Sequence, residues 1–84
     1  MKEKLVGKIT HYFTNIGVAV VEVTSGVLKV GDKIHIKGNT TDFEQTVDSM
    51  QVEHENVDKA KKGESIGLKV SEHTREGDEV YVEE

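Results

Sequence analysis

The amino-acid sequence predicts an all-β fold, a small six-stranded antiparallel barrel. Val and Ile total 18 residues against three Leu and two Ala, and β-branched side chains favour strands over helices. Eight Gly and no Pro indicate turns built on positive φ. Between Gly26 and Gly38, two glycine bends lead into the strict alternation of apolar and polar residues in 33–37, which is typical of a half-buried strand. We expect one domain, residues 1–84.

Six segments carry strand patterns. They are residues 5–13, 16–24, 32–37, 42–55, 65–70 and 79–82. Within the fourth segment the apolar residues change phase, which is typical of a β-bulge. Leu28, between the second and third strands, is expected to plug one end of the core, and Glu83 and Glu84 are expected to fray.

One short helical turn is predicted near residues 57–62. Asn56 is a suitable N-cap, Lys62 favours the C-terminal end of a helix, and Gly63 is a common terminator. The turn before the third strand contains Asp32, whose carboxylate is expected to bond backbone N–H groups just beyond it.

Charge and composition limit the classes of function. The formal net charge is −5, so charge alone does not indicate a nucleic-acid partner. Without cysteine, disulfides and thiolate metal sites are excluded. No apolar segment reaches membrane-spanning length, and the N-terminus lacks the apolar core of a signal peptide. We therefore expect a cytoplasmic protein without a membrane partner.

The sequence contains no converging catalytic set, and we expect no enzyme activity, no cofactor and no bound metal. The glycine-lysine loop that holds nucleotide phosphates does not occur, which predicts no GTP binding by this chain. None of the four serines lies in a Gly-x-Ser-x-Gly elbow. The histidines are at least nineteen residues apart, a spacing that does not indicate a zinc site. They are His11, His35, His54 and His73.

A basic stripe is the candidate partner- or RNA-binding surface. Strand alternation places Lys33, His35 and Lys37 on the face opposite two isoleucines, and Lys29 extends the stripe. Such a stripe can hold a phosphate backbone weakly. It can equally be a solvated outer face whose lysines protect a sheet edge, which is the commoner case.

Three segments together resemble the second domain of the translational GTPases, the family of elongation factor Tu. Gly26–Asp32 resembles the family's Gly-x-Leu/Ile-Lys-x-Gly-Asp/Glu turn. Residues 49–67 resemble the stretch that ends in Gly-Asp/Glu-Asn-Val-Gly, and Arg75–Val80 resembles the closing Arg-Gly-Asp-Val. The match extends over about residues 5–82 in the family's order. The resemblance implies a six-stranded antiparallel β-barrel with Greek-key connections.

The resemblance also implies a site that receives the aminoacyl end of tRNA, and the sequence departs from the family there. The family's Gly-Arg dipeptide is replaced by Val21–Val23, one residue shorter, and its Glu beside the terminal adenosine corresponds to Gln51. The family's Arg is absent here and the acidic Glu22 lies nearby, and both differences weaken phosphate binding. We therefore do not expect aminoacyl-tRNA delivery. Gln51 joins the candidate partner- or RNA-binding residues.

A similar barrel occurs as a C-terminal accessory domain in the collagenase-like peptidase family, which acts in RNA modification. Two hypotheses follow from the resemblances. The first is a non-catalytic binding module that contacts a protein or ribonucleoprotein partner, with weak RNA binding. The alternative is a detached accessory domain that docks onto a separately encoded RNA-modifying or peptidase-like enzyme. Fold alone does not decide between them.

Overall fold

The computed structural model describes residues 3–52 and 55–83, and every regular element within these ranges is a β-strand. The strands are β1 (Glu3–Phe13), β2 (Val18–Val23), β3 (Val27–Lys29), β4 (Lys33–Lys37), β5 (Asp42–Thr46), β6 (Met50–Val52), β7 (Glu55–Val57), β8 (Lys59–Lys61), β9 (Ser65–Lys69) and β10 (Glu79–Glu83). Eight form one sheet in the order β5-β4-β10-β1-β2-β9-β6-β7, and β3 pairs with β8. All pairs are antiparallel, so the predicted class is confirmed.

The long fourth strand predicted over residues 42–55 is interrupted between β5 and β6. Val47 lies just after β5 and pairs with the turn before β4. Its carbonyl accepts from Gly31 N–H (2.8 Å), and its N–H donates to the backbone carbonyl of Asp32 (2.8 Å). The phase change in the sequence therefore marks a break and not a bulge. Glu53 and His54, which belonged to the predicted strand, lie outside the described residues.

The main sheet is not closed by backbone pairing in the described part of the chain, unlike the closed six-stranded barrel that the sequence predicts. Its order ends at β5 and β7. The side-chain amide of Gln45 bridges the gap between β5 and the end of β9, which we call the seam. Its Nε2 donates to the carbonyl of Lys69 (2.9 Å), and its Oε1 accepts from Ser71 N–H (2.8 Å). One side chain thus takes the place of a peptide unit between β5 and the C-terminal end of β9.

The helical turn predicted near residues 57–62 is wrong, because β7 and β8 occupy this segment. Ala60 of β8 lies opposite Leu28 of β3, and both are fully buried, so Leu28 does plug the core. Asn56 is not a helix cap, since its Oδ1 accepts a hydrogen bond from Gln51 Nε2 (3.2 Å). Pairing with β3 and β6 overrides the local capping signals.

Three corners of the fold repeat one turn with the sequence basic-x-Gly-acid. They are Lys29–Asp32, Lys61–Glu64 and Arg75–Asp78. In each, the glycine has a positive φ (96°, 93° and 92°), as the third position of a type II turn requires. The fourth N–H donates to the first carbonyl (3.1, 3.0 and 3.1 Å), and the acidic side chain accepts from the first N–H (3.0, 2.6 and 2.9 Å). Each turn is therefore held by two hydrogen bonds, one between backbone groups and one to the acidic side chain.

The carboxylate of Asp32 bonds in the opposite direction along the chain from the one predicted. It was expected to bond N–H groups beyond it, but it accepts from Lys29 N–H, three residues earlier. The reversal follows from the turn, which brings its fourth residue back to the first.

Alternating side chains of the strands form the core. The inward residues of β4 and β9 are buried as the alternation predicts: Ile34 and Ile36 in one strand, Ile66 and Leu68 in the other. Gly7 lies at a register shift between β1 and β10, and a Cβ there would overlap the backbone carbonyl of Glu22. Across residues 3–52 and 55–83 there is no helix long and apolar enough to cross a membrane.

Candidate binding surfaces

The outer face of β4 carries the predicted basic stripe. Lys33, His35 and Lys37 share this face, and the two isoleucines between them are buried. Gln51, the fourth predicted site residue, is exposed on β6. Four strands separate β4 from β6 in the sheet. The structure therefore brings the three stripe residues together and leaves Gln51 on a different surface.

Neighbouring strands place acidic and aromatic groups beside the stripe. Lys33 Nζ lies 3.4 Å from Glu83 Oε2 on β10. Lys37 Nζ lies 6.0 Å from the centre of the Tyr81 ring, at the outer limit of a cation–π contact. The result is a mixed-charge face, and a phosphate backbone bound there would have to compete with the carboxylates. RNA binding by Lys33, His35 and Lys37 stays a prediction.

His35 is the most enclosed residue of the stripe, with a side chain only 16% exposed. Its Nε2 contacts the carboxylate of Asp42, and its Nδ1 contacts that of Glu3. The hydrogen bond to Asp42, reinforced by Glu3 and opposed by partial burial, raises the pKa of His35 above its ordinary value. The same hydrogen bond lowers the pKa of Asp42. The imidazole ring thereby joins β1, β4 and β5.

Two further carboxyl groups meet beside His35. Glu44 lies opposite His35 in the β4–β5 ladder, and hydrogen bonding to Glu83 raises the pKa of Glu44 while it lowers that of Glu83. Glu83 was expected to fray but is the last residue of β10, with a side chain 13% exposed; Glu84 lies outside the described residues. We call Glu3, His35, Asp42, Glu44 and Glu83 the histidine cluster.

A second surface, an apolar groove, lies beside Gln51. Phe13 and Ile16 are 45% and 63% exposed, and the half-buried Val18 and Val20 of β2 lie between them and β9. Gly67 of β9 lies opposite Val20 and has no side chain to fill the space. The groove has a volume of about 310 Å³. We define the apolar groove by Phe13, Ile16, Val18, Val20, Gln51 and Gly67.

The hairpin between β1 and β2 positions the exposed end of the groove. Gly17, with φ of 66°, donates its N–H to the carbonyl of Phe13 (2.9 Å) and reverses the chain. Ile16 therefore lies at the hairpin tip, and His11 packs against Phe13 with ring centroids 4.5 Å apart. This groove was not predicted from the sequence. The available signal was two large apolar residues flanking a polar turn.

The chain matches known proteins over most of its length. Residues 17–82 match the model of the family "Elongation factor Tu domain 2". The chain is 42% identical over 78 residues to an uncharacterized protease of Methanocaldococcus jannaschii, covering 92% of this chain and 19% of that protein. It is 43% identical over 77 residues to a collagenase of Porphyromonas gingivalis, covering 90% and 21%. The chain thus spans about a fifth of the length of these curated relatives.

Solved structures show the same fold. The C-terminal domain of a putative U32 peptidase of Geobacillus thermoleovorans superposes with a TM-score of 0.88 at 19% identity, covering 96% of this chain and 93% of that chain. Its selenomethionine variant gives 0.86, at 92% and 96% coverage. Both resemblances in the sequence are confirmed, to the translation-factor barrel and to the peptidase-family barrel. Because the family match covers well over half of its residues, the chain belongs to the elongation factor Tu domain 2 family.

Proposed function

We propose that the chain is a non-catalytic binding module whose apolar groove docks onto a U32 peptidase-family protein. The surface it contacts belongs to the part of that protein outside the matched segment, which we call the body. The observation that carries the proposal is the exposure of Phe13 and Ile16 beside the half-buried valines of β2. Covering an Ile or Phe side chain contributes about 1.5–3 kcal/mol. Contiguous exposed apolar groups on a small protein mark interaction sites more often than chance placement.

The curated relatives support a partner of this class. At 42–43% identity, they contain the matched segment within proteins about five times as long. In those proteins the segment therefore shares a chain with a much larger body. A groove that packs against that body is the simplest use for an apolar surface on such a domain. The same packing serves whether the module and the body share a chain or are encoded separately.

The residues that line the groove favour a protein-binding site over a catalytic site. Most of its lining is aliphatic or aromatic, and Gln51 and Ser65 are its polar residues. An apolar centre with a polar rim is the usual anatomy of a protein interface. The amide of Gln51, which donates to Asn56, can redirect its hydrogen bonds to a partner backbone.

Direct RNA binding is the second candidate function. The observation in its favour is the pair of exposed lysines on the outer face of β4, Lys33 and Lys37. The histidine cluster beside them makes this surface less favourable for phosphate than its lysines alone suggest. Because the stripe and the groove lie on different strands, substitutions can separate the two functions.

Surface plasmon resonance with the purified chain tests the proposal. The analytes are the body of a U32 peptidase-family protein from the same organism, without its own barrel, and deacylated tRNA at low salt. We expect the body to bind, and Ile16→Ser to weaken binding by roughly tenfold or more, since tenfold corresponds to about 1.4 kcal/mol. The matched control is Val30→Ser, an exposed valine outside the groove, which should bind as the native chain does.

Two results contradict the proposal. One is equal weakening by Ile16→Ser and Val30→Ser, which would remove the groove from the interface. The other is tRNA binding that is abolished by Lys33→Glu with Lys37→Glu, together with no binding of the body. That second result would establish the RNA-binding module instead.

A further inference from the structure

We propose that the outer face of β4 holds a divalent transition-metal ion through Glu3, His35 and Glu44. These side chains come from β1, β4 and β5, and each offers a ligand atom within 4.8 Å of the other two. One imidazole nitrogen with two carboxylate oxygens is a donor set suited to Zn²⁺ or Mn²⁺. Three protein ligands leave a coordination position for a further group.

The sheet register fixes the ligands relative to one another. His35 lies directly opposite Glu44 in the β4–β5 ladder, and Glu3 lies opposite Glu83 in the β1–β10 ladder. β10 lies between β4 and β1, so the four strands form one continuous platform. Ligands on paired strands are held more firmly than ligands on loops. To close around an ion, Glu3 has to give up its contact with Nδ1 of His35, because the metal replaces the proton between them.

Asp42 supplies a second, separate element of a metal site. It contacts Nε2 of His35, whereas Glu3 contacts Nδ1 of the same ring. With Nδ1 directed to the metal, Nε2–H donates to the carboxylate of Asp42. Metal-binding histidines usually donate their other N–H to a carboxylate or carbonyl, which fixes the tautomer and the ring orientation. Asp42 is thus a positioning residue for His35.

Glu83 adds a further carboxylate beside the proposed ligands. Its Oε2 is buried, and its charged partner is Lys33, whose Nζ lies 3.4 Å away. This ion pair offsets part of the cost of burying the carboxylate. The carboxyl group of Glu83 also interacts with that of Glu44 and raises its pKa, so a nearby cation would offset the negative charge of the pair.

The sequence spacing does not indicate this site, because its histidine has no second histidine or cysteine at ligand distance along the chain. The donors are brought together only by strand pairing. Carboxylates outnumber cations in the cluster: Glu3, Asp42, Glu44 and Glu83 surround His35, and Lys33 contacts them from one side. This excess of negative charge attracts a divalent cation to the face.

Isothermal titration calorimetry with Zn²⁺ on chelator-treated protein tests the site. We expect one equivalent to bind, and His35→Gln and Glu44→Gln each to weaken the affinity by roughly tenfold or more. Asp42→Asn should weaken it less, because Asp42 acts through His35. The matched control is His73→Gln, since His73 stacks on Tyr12 outside the cluster and should not affect the affinity. Circular dichroism of each variant checks that the fold is retained.

Cobalt gives a second readout. Co²⁺ at the site should show visible absorption that changes with His35→Gln and not with His73→Gln. The proposal is overturned if less than half an equivalent of Zn²⁺ binds, or if His35→Gln binds as tightly as the native chain. It is also overturned if Mg²⁺ competes as well as Zn²⁺, because that would show a diffuse acidic patch in which the imidazole takes no part.

Discussion

Glycine meets two different physical requirements in this chain, at Gly31 and at Gly7. Gly31 has φ of 96°, and a Cβ there would meet nothing within 4 Å. Position 31 therefore requires glycine for its backbone conformation and not for lack of space. At Gly7 a Cβ would overlap the carbonyl of Glu22 on the neighbouring strand, so the requirement is for space. Substitutions at the two positions therefore destabilise for different reasons.

Gly31→Val should lower the free energy of unfolding by about 1–2 kcal/mol, because a β-branched residue is strained at positive φ. Gly31→Asn is the matched variant and should cost less, since Asn is tolerated at the third position of a type II turn. Urea denaturation measures both. Equal losses for Asn and Val would show that the φ of Gly31 does not determine the cost.

Folding stability should depend on pH through His35 when metal is removed by a chelator. The pKa of His35 is raised above 6.5 in the folded state by Asp42 and Glu3, so the folded protein binds this proton more tightly than the unfolded chain. The resulting stabilisation is fully present below the unfolded pKa and is lost as pH rises through the folded pKa.

Chemical denaturation from about pH 6 to pH 9 measures this effect above the range where carboxyl groups titrate. The difference between the native chain and His35→Gln isolates the imidazole. We expect this difference to shrink with rising pH. A difference that stays constant or grows would show that the imidazolium is not stabilised by its neighbours.

At the scale of elements, the seam beside β5 depends on one side chain. The amide of Gln45 makes two backbone hydrogen bonds at the end of β9, to Lys69 in the strand and to Ser71 just beyond it. An unpaired edge strand invites pairing with other chains, and this amide covers part of that edge.

Gln45→Ala should lower the free energy of unfolding by about 1–3 kcal/mol, the value of two ordinary hydrogen bonds. Thr46→Ala, on the same strand with an exposed side chain, is the control and should cost less. Amide hydrogen exchange gives a local readout, because Ser71 N–H should lose protection in Gln45→Ala. Unchanged protection of Ser71 would show that the amide does not close the seam.

Local patterns determine some elements and not others. In β4, the alternation around Ile34 and Ile36 is sufficient to predict the strand and its buried face. The helical prediction around Asn56 failed because capping residues act locally, whereas β8 is fixed by the burial of Ala60 against Leu28, more than thirty positions earlier. The break at Val47 likewise depends on a distant turn.

At the scale of the whole molecule, β1 links the two candidate surfaces. Glu3, at its first residue, belongs to the histidine cluster, and Phe13, at its last, belongs to the apolar groove. A partner on the groove and an ion in the cluster therefore need not compete. The two proposals can be tested on one protein with independent substitutions.

The candidate surfaces were only partly predictable from the sequence. The shared face of Lys33, His35 and Lys37 follows from alternation within one strand. The carboxylates beside them come from three other strands, so their position depends on register across the sheet. The groove depends on Gly67 lying opposite Val20, a pairing that no local pattern specifies.

Chemical-shift mapping on the ¹⁵N-labelled chain tests the central claim, docking through the apolar groove, most directly. On addition of the peptidase-family body, the amides of Phe13, Ile16, Val20 and Gly67 should shift, and those of residues 33–37 should not. Shifts confined to residues 33–37 with the body, or shifts spread evenly over the chain, would contradict the claim.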